Sequence, residues 1–208
     1  MRFKMNGTLR RGAVVLAALM GLAAGMASAQ STDSLPSGLR LTAGGGLGFG
    51  TGGVHAGTGD SKPGGTLLGR IGVAKNGRPF LVLDGEWQLY QAPIPFPADD
   101  TCEKANAADC PATRFDGFSV LAGVALFVTE GFYVLPQAGA QFRNMTGYRA
   151  SEYSETGFAA GLNAGYLLDF GSGVSVSPEV YLRYAAMTGP DTPSFRAFGF
   201  RVMATWVF

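Results

Sequence analysis

Bulky apolar side chains fall on alternate positions over and over through residues 38–208. Successive side chains of a strand point to opposite faces, so each such run describes a strand with one apolar face. The run at Phe195–Phe208, "FRAFGFRVMATWVF", is the plainest. Phe198, Phe200, Val202, Ala204, Trp206 and Phe208 share one face, and Gly199, Arg201, Met203, Thr205 and Val207 share the other. Seven more runs behave alike, starting near Leu39, Leu67, Leu81, Phe118, Val134, Phe158 and Val174. Their second faces carry Arg40, Thr42, Arg70, Asp84, Glu86, Gln88, Ser119, Gln137, Gln141, Arg143, Asn163, Glu179 and Arg183, interleaved with glycine.

The connections alternate in length. "KNGRP" (75–79), "TEG" (129–131) and "GSG" (171–173) have the glycine chemistry of tight hairpin turns. Longer pieces lie between them, at roughly 51–65, 91–114, 145–156 and 186–194. Eight antiparallel strands with short turns at one end and long loops at the other make an up-and-down barrel, with both chain ends on the short-turn side.

Such a barrel can close in two ways. A soluble barrel buries its apolar face around a ligand, whereas a membrane barrel turns that face to lipid and keeps polar groups in a narrow lumen. The polar face decides between them. Lysine is almost absent from the strands, and glycine weakens a strand that faces water. Arg, Glu, Asp and Gln interleaved with Gly suit a lumen where long side chains need space opposite them. Opposite charges there should pair, because a lone buried charge is costly. The expected lumen charge network is Arg40, Arg70, Arg143, Arg183 and Arg201 against Asp84, Glu86 and Glu179. Aromatic residues form two groups by height. Phe80, Phe132, Tyr133, Phe170, Trp206 and Phe208 lie at the short-turn ends, and Phe49, Trp87, Tyr90, Phe118, Phe142, Tyr184 and Phe198 towards the long loops. Two girdles are expected where a barrel crosses the two membrane interfaces.

The first residues add a compartment. Arg2, Lys4, Arg10 and Arg11 precede the apolar run "GAVVLAALMGLAAGMA" and the small residues Ala27–Ala29. This is the layout of a secretory signal. The apolar run is short and rich in Gly and Ala against the roughly 20 apolar residues of a spanning helix. The general secretory route suits it better than a twin-arginine route, because the segment after Arg10-Arg11 lacks the rest of that pattern. The expectation is therefore a cleaved signal peptide at 1–29 and an outer-membrane β-barrel domain at 30–208. The leader holds four of the 16 Lys and Arg and none of the 15 Asp and Glu, which leaves 12 cations against 15 anions. With no basic patch, nucleic acid is not an expected partner. Cys102 and Cys110 read as a local disulfide in an exported chain.

Signal, strand count, length and the closing Trp206 and Phe208 together resemble the OmpA-, OmpX- and opacity-type small bacterial outer-membrane barrels. The resemblance implies an integral outer-membrane protein whose Trp206 and Phe208 act as an assembly signal for the barrel-assembly machinery. Its other partners would be outer-membrane lipid, envelope proteins or surface ligands of the long loops. It identifies the fold better than the activity. A structural or surface-interaction role with a closed lumen comes first, and no cofactor or catalysis is expected. A small-solute pore and a lipid A-modifying enzyme remain as alternatives. For the enzyme, His55 in the first long loop could meet Asp99, Asp100 and Thr101 of the second, but no H-x-S pair is present. The exported protein is expected to begin at Gln30 and to carry no alkylatable thiol. Intact-mass measurement under non-reducing conditions checks both, and two free thiols would exclude the disulfide.

Overall fold

The alternating runs become strands of a closed antiparallel barrel. The structure, a computed structural model, describes residues 37–52, 62–74, 80–91, 114–147, 150–170, 173–187 and 194–208. The strands are β1 (Gly38–Gly52), β2 (Lys62–Ala74), β3 (Phe80–Gln91), β4 (Arg114–Phe127), β5 (Phe132–Gly147), β6 (Ala150–Tyr166), β7 (Leu168–Asp169), β8 (Val174–Met187) and β9 (Phe195–Val207). Each strand pairs with its sequence neighbour, and β1 pairs with β9 from Arg40↔Val207 to Gly52↔Phe195. The two-residue β7 continues β6 against β8 in the same register, so the barrel has eight staves. The ladder lapses beside Pro178, which has no amide hydrogen to give. On the β5 side, Leu167 N donates to Gly131 O at 2.8 Å, one step beyond Phe132↔Tyr166 in the β5–β6 register.

Of the expected tight turns, 129–131 is described in full and 171–173 at Gly173 and its flanks. Between β4 and β5, Val128 N donates to Phe132 O (2.8 Å), and Phe132 N donates to Thr129 Oγ1 (3.2 Å). Between β7 and β8, Phe170 N donates to Val174 O, and Gly173 takes a φ of +75° that L side chains resist. The expected turn at 75–79 lies outside the described residues.

One expected loop is mostly strand. Residues 145–156 read as a long connection, yet Met145 pairs with Tyr153 and Gly147 with Ala150, with a register shift between Met145 and Gly147. Only 148–149 fall outside the described residues of this hairpin. A spanning strand needs about 9–11 residues, whereas β5 has 16 and β6 has 17. The apolar period of the sequence stops before the backbone ladder does.

The faces separate as alternation requires. Large apolar side chains point outward and are exposed all around the barrel, among them Leu47 (77%), Leu81 (67%), Ile71 (52%), Leu182 (56%) and Phe200 (51%). A soluble monomer rarely exposes an apolar patch beyond a few hundred Å². The belt therefore belongs in lipid. No helix among the described residues is long and apolar enough to cross a membrane, so the strands are what span.

Aromatic placement corrects part of the reading by height. Phe132, Phe170, Trp206 and Phe208 on the turn side face outward, as do Phe49, Trp87, Phe118, Phe142, Tyr184 and Phe198 towards the loops. Phe80 and Tyr133 instead point inward and are buried. Each has the parity of its inward neighbours, Val82 and Leu135, and parity fixes the face whatever the height. Leu126, on the outward parity, is also buried beside the β4–β5 turn. The side chain of Tyr90 lies outside the description.

Closure rests on the last residues. Phe208 N donates to Leu39 O (2.9 Å) and Leu39 N to Phe208 O (3.2 Å), while Val207 N reaches Gly173 O (2.9 Å). Deleting Phe208, or Trp206→Asp at an outward position, is expected to lower the amount of folded barrel in the membrane. A charge on the lipid face near an interface costs about 1 kcal/mol or less, and more with depth. Heat-modifiable mobility on gels measures the folded fraction, and an unchanged fraction would contradict the expectation.

Candidate functional site

Strand register builds the polar interior. Arg70 on β2 stands directly opposite Asp84 on β3, and Glu179 on β8 opposite Arg201 on β9. Cross-strand opposite charges on one face attract, and here both pairs face the lumen and are buried. Arg70 holds Asp84 in a fork, Nε to Oδ1 at 2.8 Å and Nη2 to Oδ2 at 2.9 Å. Arg201 Nε donates to Glu179 Oε1 at 2.5 Å, and its Nη2 contacts the same oxygen.

Further contacts tie opposite walls. Arg70 Nη1 reaches across to Glu179 Oε2 at 3.0 Å, and Tyr133 of β5 donates its hydroxyl to that same oxygen at 2.8 Å. Arg201 Nη1 meets Glu86 Oε2 of β3 at 3.1 Å. Arg183 of β8 brings Nε and Nη2 to the same Glu86 oxygen, at 3.0 and 2.6 Å. Arg183 also donates to Asn163 Oδ1 (2.7 Å) and Gln137 Oε1 (3.2 Å), while Gln88 donates to Glu86 Oε1 (2.8 Å). Every oxygen of Asp84, Glu86 and Glu179 therefore has at least one donor. Arg70, Arg183 and Arg201 against Asp84, Glu86 and Glu179 make three cations and three anions, a layer of zero net charge.

The layer is packed from both sides. The Tyr181 ring lies beneath Arg201 (5.2 Å from Cζ to the ring centre) and beside Arg183 (6.0 Å), which favours both cations. Gly46 on β1 makes room for Arg201, because a Cβ there would collide with the Arg201 side chain and the Phe200 carbonyl. Towards the loops lies an apolar cluster of Leu121, Ala159, Tyr181, Ala185, Phe195 and Ala197. Towards the turns lies another, of Phe80, Val82, Ala125, Phe127, Tyr133 and Leu135.

The two remaining arginines of the expected network flank the layer. Arg40 is at the turn end, its guanidinium 5.1 Å from the Phe80 ring centre. Arg143 is towards the loops, and register sets it directly across from Glu155. All eight residues named from the sequence thus face inward and are buried; six meet in one layer and two stand apart. Tyr133, read as a girdle residue, and Tyr181, Ser177 and the Thr42–Thr205 hydroxyl pair (2.9 Å), which the expected charge network did not include, also belong to the interior. Their parity was readable, but aromatic rings at strand ends suggested the girdles. Thr66 Oγ1, Gln88 Oε1 and Ser119 Oγ sit on adjacent strands without a protein hydrogen-bond partner. Ordered water is the usual answer for buried groups of this kind. No metal-ligating cluster occurs among the described residues. Cys102, Cys110 and His55 lie outside them.

No protein-family model matches the sequence, and no curated protein does. The fold does match solved structures. Neisserial surface protein A (NspA) superposes with a TM-score of 0.54 at 12% identity, over 83% of this chain and 98% of that one. Ail, the attachment invasion locus protein of Yersinia pestis, gives 0.51 at 11% identity, over 83% of this chain and all of the other. The chain has the fold of the small eight-stranded outer-membrane barrels, and its lipid-facing belt makes it an integral protein of the outer membrane.

Removing one partner of a buried ion pair strands the other, at a cost of about 3–5 kcal/mol. Glu86→Ala would strand Arg183 and lose one contact of Arg201. It is expected to lower the urea midpoint of the detergent-folded barrel clearly. Glu130→Ala, at an exposed turn position, should shift it by no more than about 0.5 kcal/mol. Equal midpoints for the two variants would contradict the network's role.

Proposed function

We propose that this protein is a closed, non-conducting barrel that serves as a scaffold for surface-exposed loops, which contact surface ligands or other envelope components. The observation that carries the reading is the neutral layer of Arg70, Arg183, Arg201, Asp84, Glu86 and Glu179 bridging opposite walls. An eight-stranded barrel has an interior just wide enough for side chains to fill. With a charge layer at mid-height and an apolar cluster on either side, an ion would have to break paired charges to pass.

The work then falls to the long connections read within 51–65, 91–114 and 186–194 and to the hairpin that extends β5 and β6. The second loop carries Cys102 and Cys110, whose bridge would order its tip. The neighbours are a surface protein and an attachment protein by name, which favours a surface-contact role over catalysis. In this reading residues 1–29 direct export and are removed, and the assembly machinery reads Trp206 and Phe208 on the last strand. His55 is a loop residue without a chemical task, and a lipid A-modifying activity is not part of the proposal.

Planar-bilayer recording tests the reading directly. The purified barrel is expected to give no steady single-channel steps, and stable steps would replace the proposal with a small-solute pore. A cysteine at Thr58 should be labelled on intact cells and one at Gly77 should not. The opposite pattern would reverse the assigned orientation and remove the loops from the surface.

A further inference from the structure

Proline is rare inside a sheet because it has no hydrogen to donate to the ladder. Two prolines of this chain nevertheless lie inside strands that have neighbours on both sides, Pro136 on β5 and Pro178 on β8. Pro63, at the second position of β2, interrupts no ladder.

Each of the two marks a break. The pairing of β4 with β5 runs to Gly123↔Gln137, skips two positions and resumes at Leu126↔Val134. Pro136 lies in that gap, yet it stays paired with Leu162 on its other side. The pairing of β6 with β8 runs to Gly165↔Glu179 and resumes only at Leu168↔Val176 on β7. Pro178 lies in that gap, and it stays paired with Val202 of β9. Between their ends, β1–β2, β1–β9, β2–β3, β3–β4 and β8–β9 pair without a skipped position.

Both interrupted seams border the same element, the β5–β6 hairpin, one on each edge. Inside the hairpin the pairing is unbroken from Phe132↔Tyr166 to Met145↔Tyr153. Its inward positions include Gly139, Gly157, Gly161 and Gly165, which offer no side chain to bury. What ties its lumen face to β8 is a short set of polar contacts. Tyr133 donates to Glu179 (2.8 Å), and Arg183 donates to Asn163 (2.7 Å) and Gln137 (3.2 Å). The same hairpin carries the extension towards the long loops, with strands of 16 and 17 residues.

We propose that the β5–β6 hairpin is a wall segment that opens as a unit along its two proline-interrupted seams, with the extension as its handle. Proteins open locally in contiguous cooperative units, and a unit is bounded where its pairing is weakest. The opening is an excursion of the native barrel, so the closed lumen stays the resident state. A partner that grips the extension would pull through Tyr133, Gln137 and Asn163 on the charge layer. The inference does not depend on which partner that is.

Amide hydrogen exchange of the detergent-folded barrel, followed residue by residue by NMR, tests it. One net hydrogen bond is worth about tenfold in an opening equilibrium. Amides bonded across β4–β5 and β6–β8 are therefore expected to exchange about tenfold or more faster than those at the same height in β1–β2 and β8–β9. Amides bonded between β5 and β6 should stay slow. Equal exchange in all the seams would overturn the proposal. Pro136→Val should slow exchange across β6–β8 as well as across β4–β5, because a unit opens at both edges or at neither. A variant that slows its own seam alone would also overturn it. If Pro136→Val does not fold, a disulfide between Ala122→Cys and Ala138→Cys, which are paired across β4–β5, makes the same test. Slower exchange across β6–β8 in the linked barrel supports the unit, and unchanged exchange there overturns it.

Discussion

In a bilayer's hydrocarbon core no water is present to satisfy a backbone amide or carbonyl, and every unpaired group costs several kcal/mol. That constraint governs this structure. It demands that the first and last strands meet, which β1 and β9 do through thirteen paired positions from Arg40 to Gly52. The seam is tied at the turn side by Phe208 and Leu39, which exchange both of their backbone hydrogen bonds. At the turn-side end of β6, Leu167 N donates to Gly131 O and carries the β5–β6 pairing one step beyond Phe132↔Tyr166.

Closure then sets the interior problem. An eight-stranded barrel encloses a lumen of side-chain width, and whatever points inward must fill it. Alternation places polar residues there, and polar groups out of water need partners. This barrel meets both demands with a layer in which three guanidinium groups bind three carboxylates across the full width of the lumen. Guanidinium suits the task because its five donors lie in a plane and can serve two carboxylates at once. Arg70 does this with Asp84 and Glu179, and Arg201 with Glu179 and Glu86. Gly46 and Tyr181 supply the space and the ring face that such large groups need. The interior thus holds a central charge layer with an apolar cluster on either side of it, beside further polar groups such as Arg40 and Arg143.

The barrel itself was legible in the sequence, because the spacing of apolar residues along a strand is a direct record of its faces. Leu39 to Phe49 and Phe198 to Phe208 read outward and are outward; Arg40, Arg70, Glu86, Glu179 and Arg201 read inward and are buried. Legibility failed where that record is silent. The apolar period gives out after Phe142 and resumes at Phe158, so residues 145–156 looked like a loop although their backbone pairing runs on. Phe80 and Tyr133 were assigned by height when their parity with Val82 and Leu135 already placed them inside.

Sequence alone determined the face of each strand and therefore the composition of the lumen, since one backbone period decides both. Only the closed tertiary structure decided which charges meet. Arg70 with Asp84 and Arg201 with Glu179 follow from adjacent strands once register is known. The union of Glu86 with Arg183 and Arg201, and of Arg70 with Glu179, joins residues about a hundred positions apart on opposite walls. Curvature and register bring those groups within reach, and neither is written in the period of a single strand. The same holds for a small cavity beside Arg40, which exists because residues of β1 to β5, β8 and β9 converge on one part of the axis.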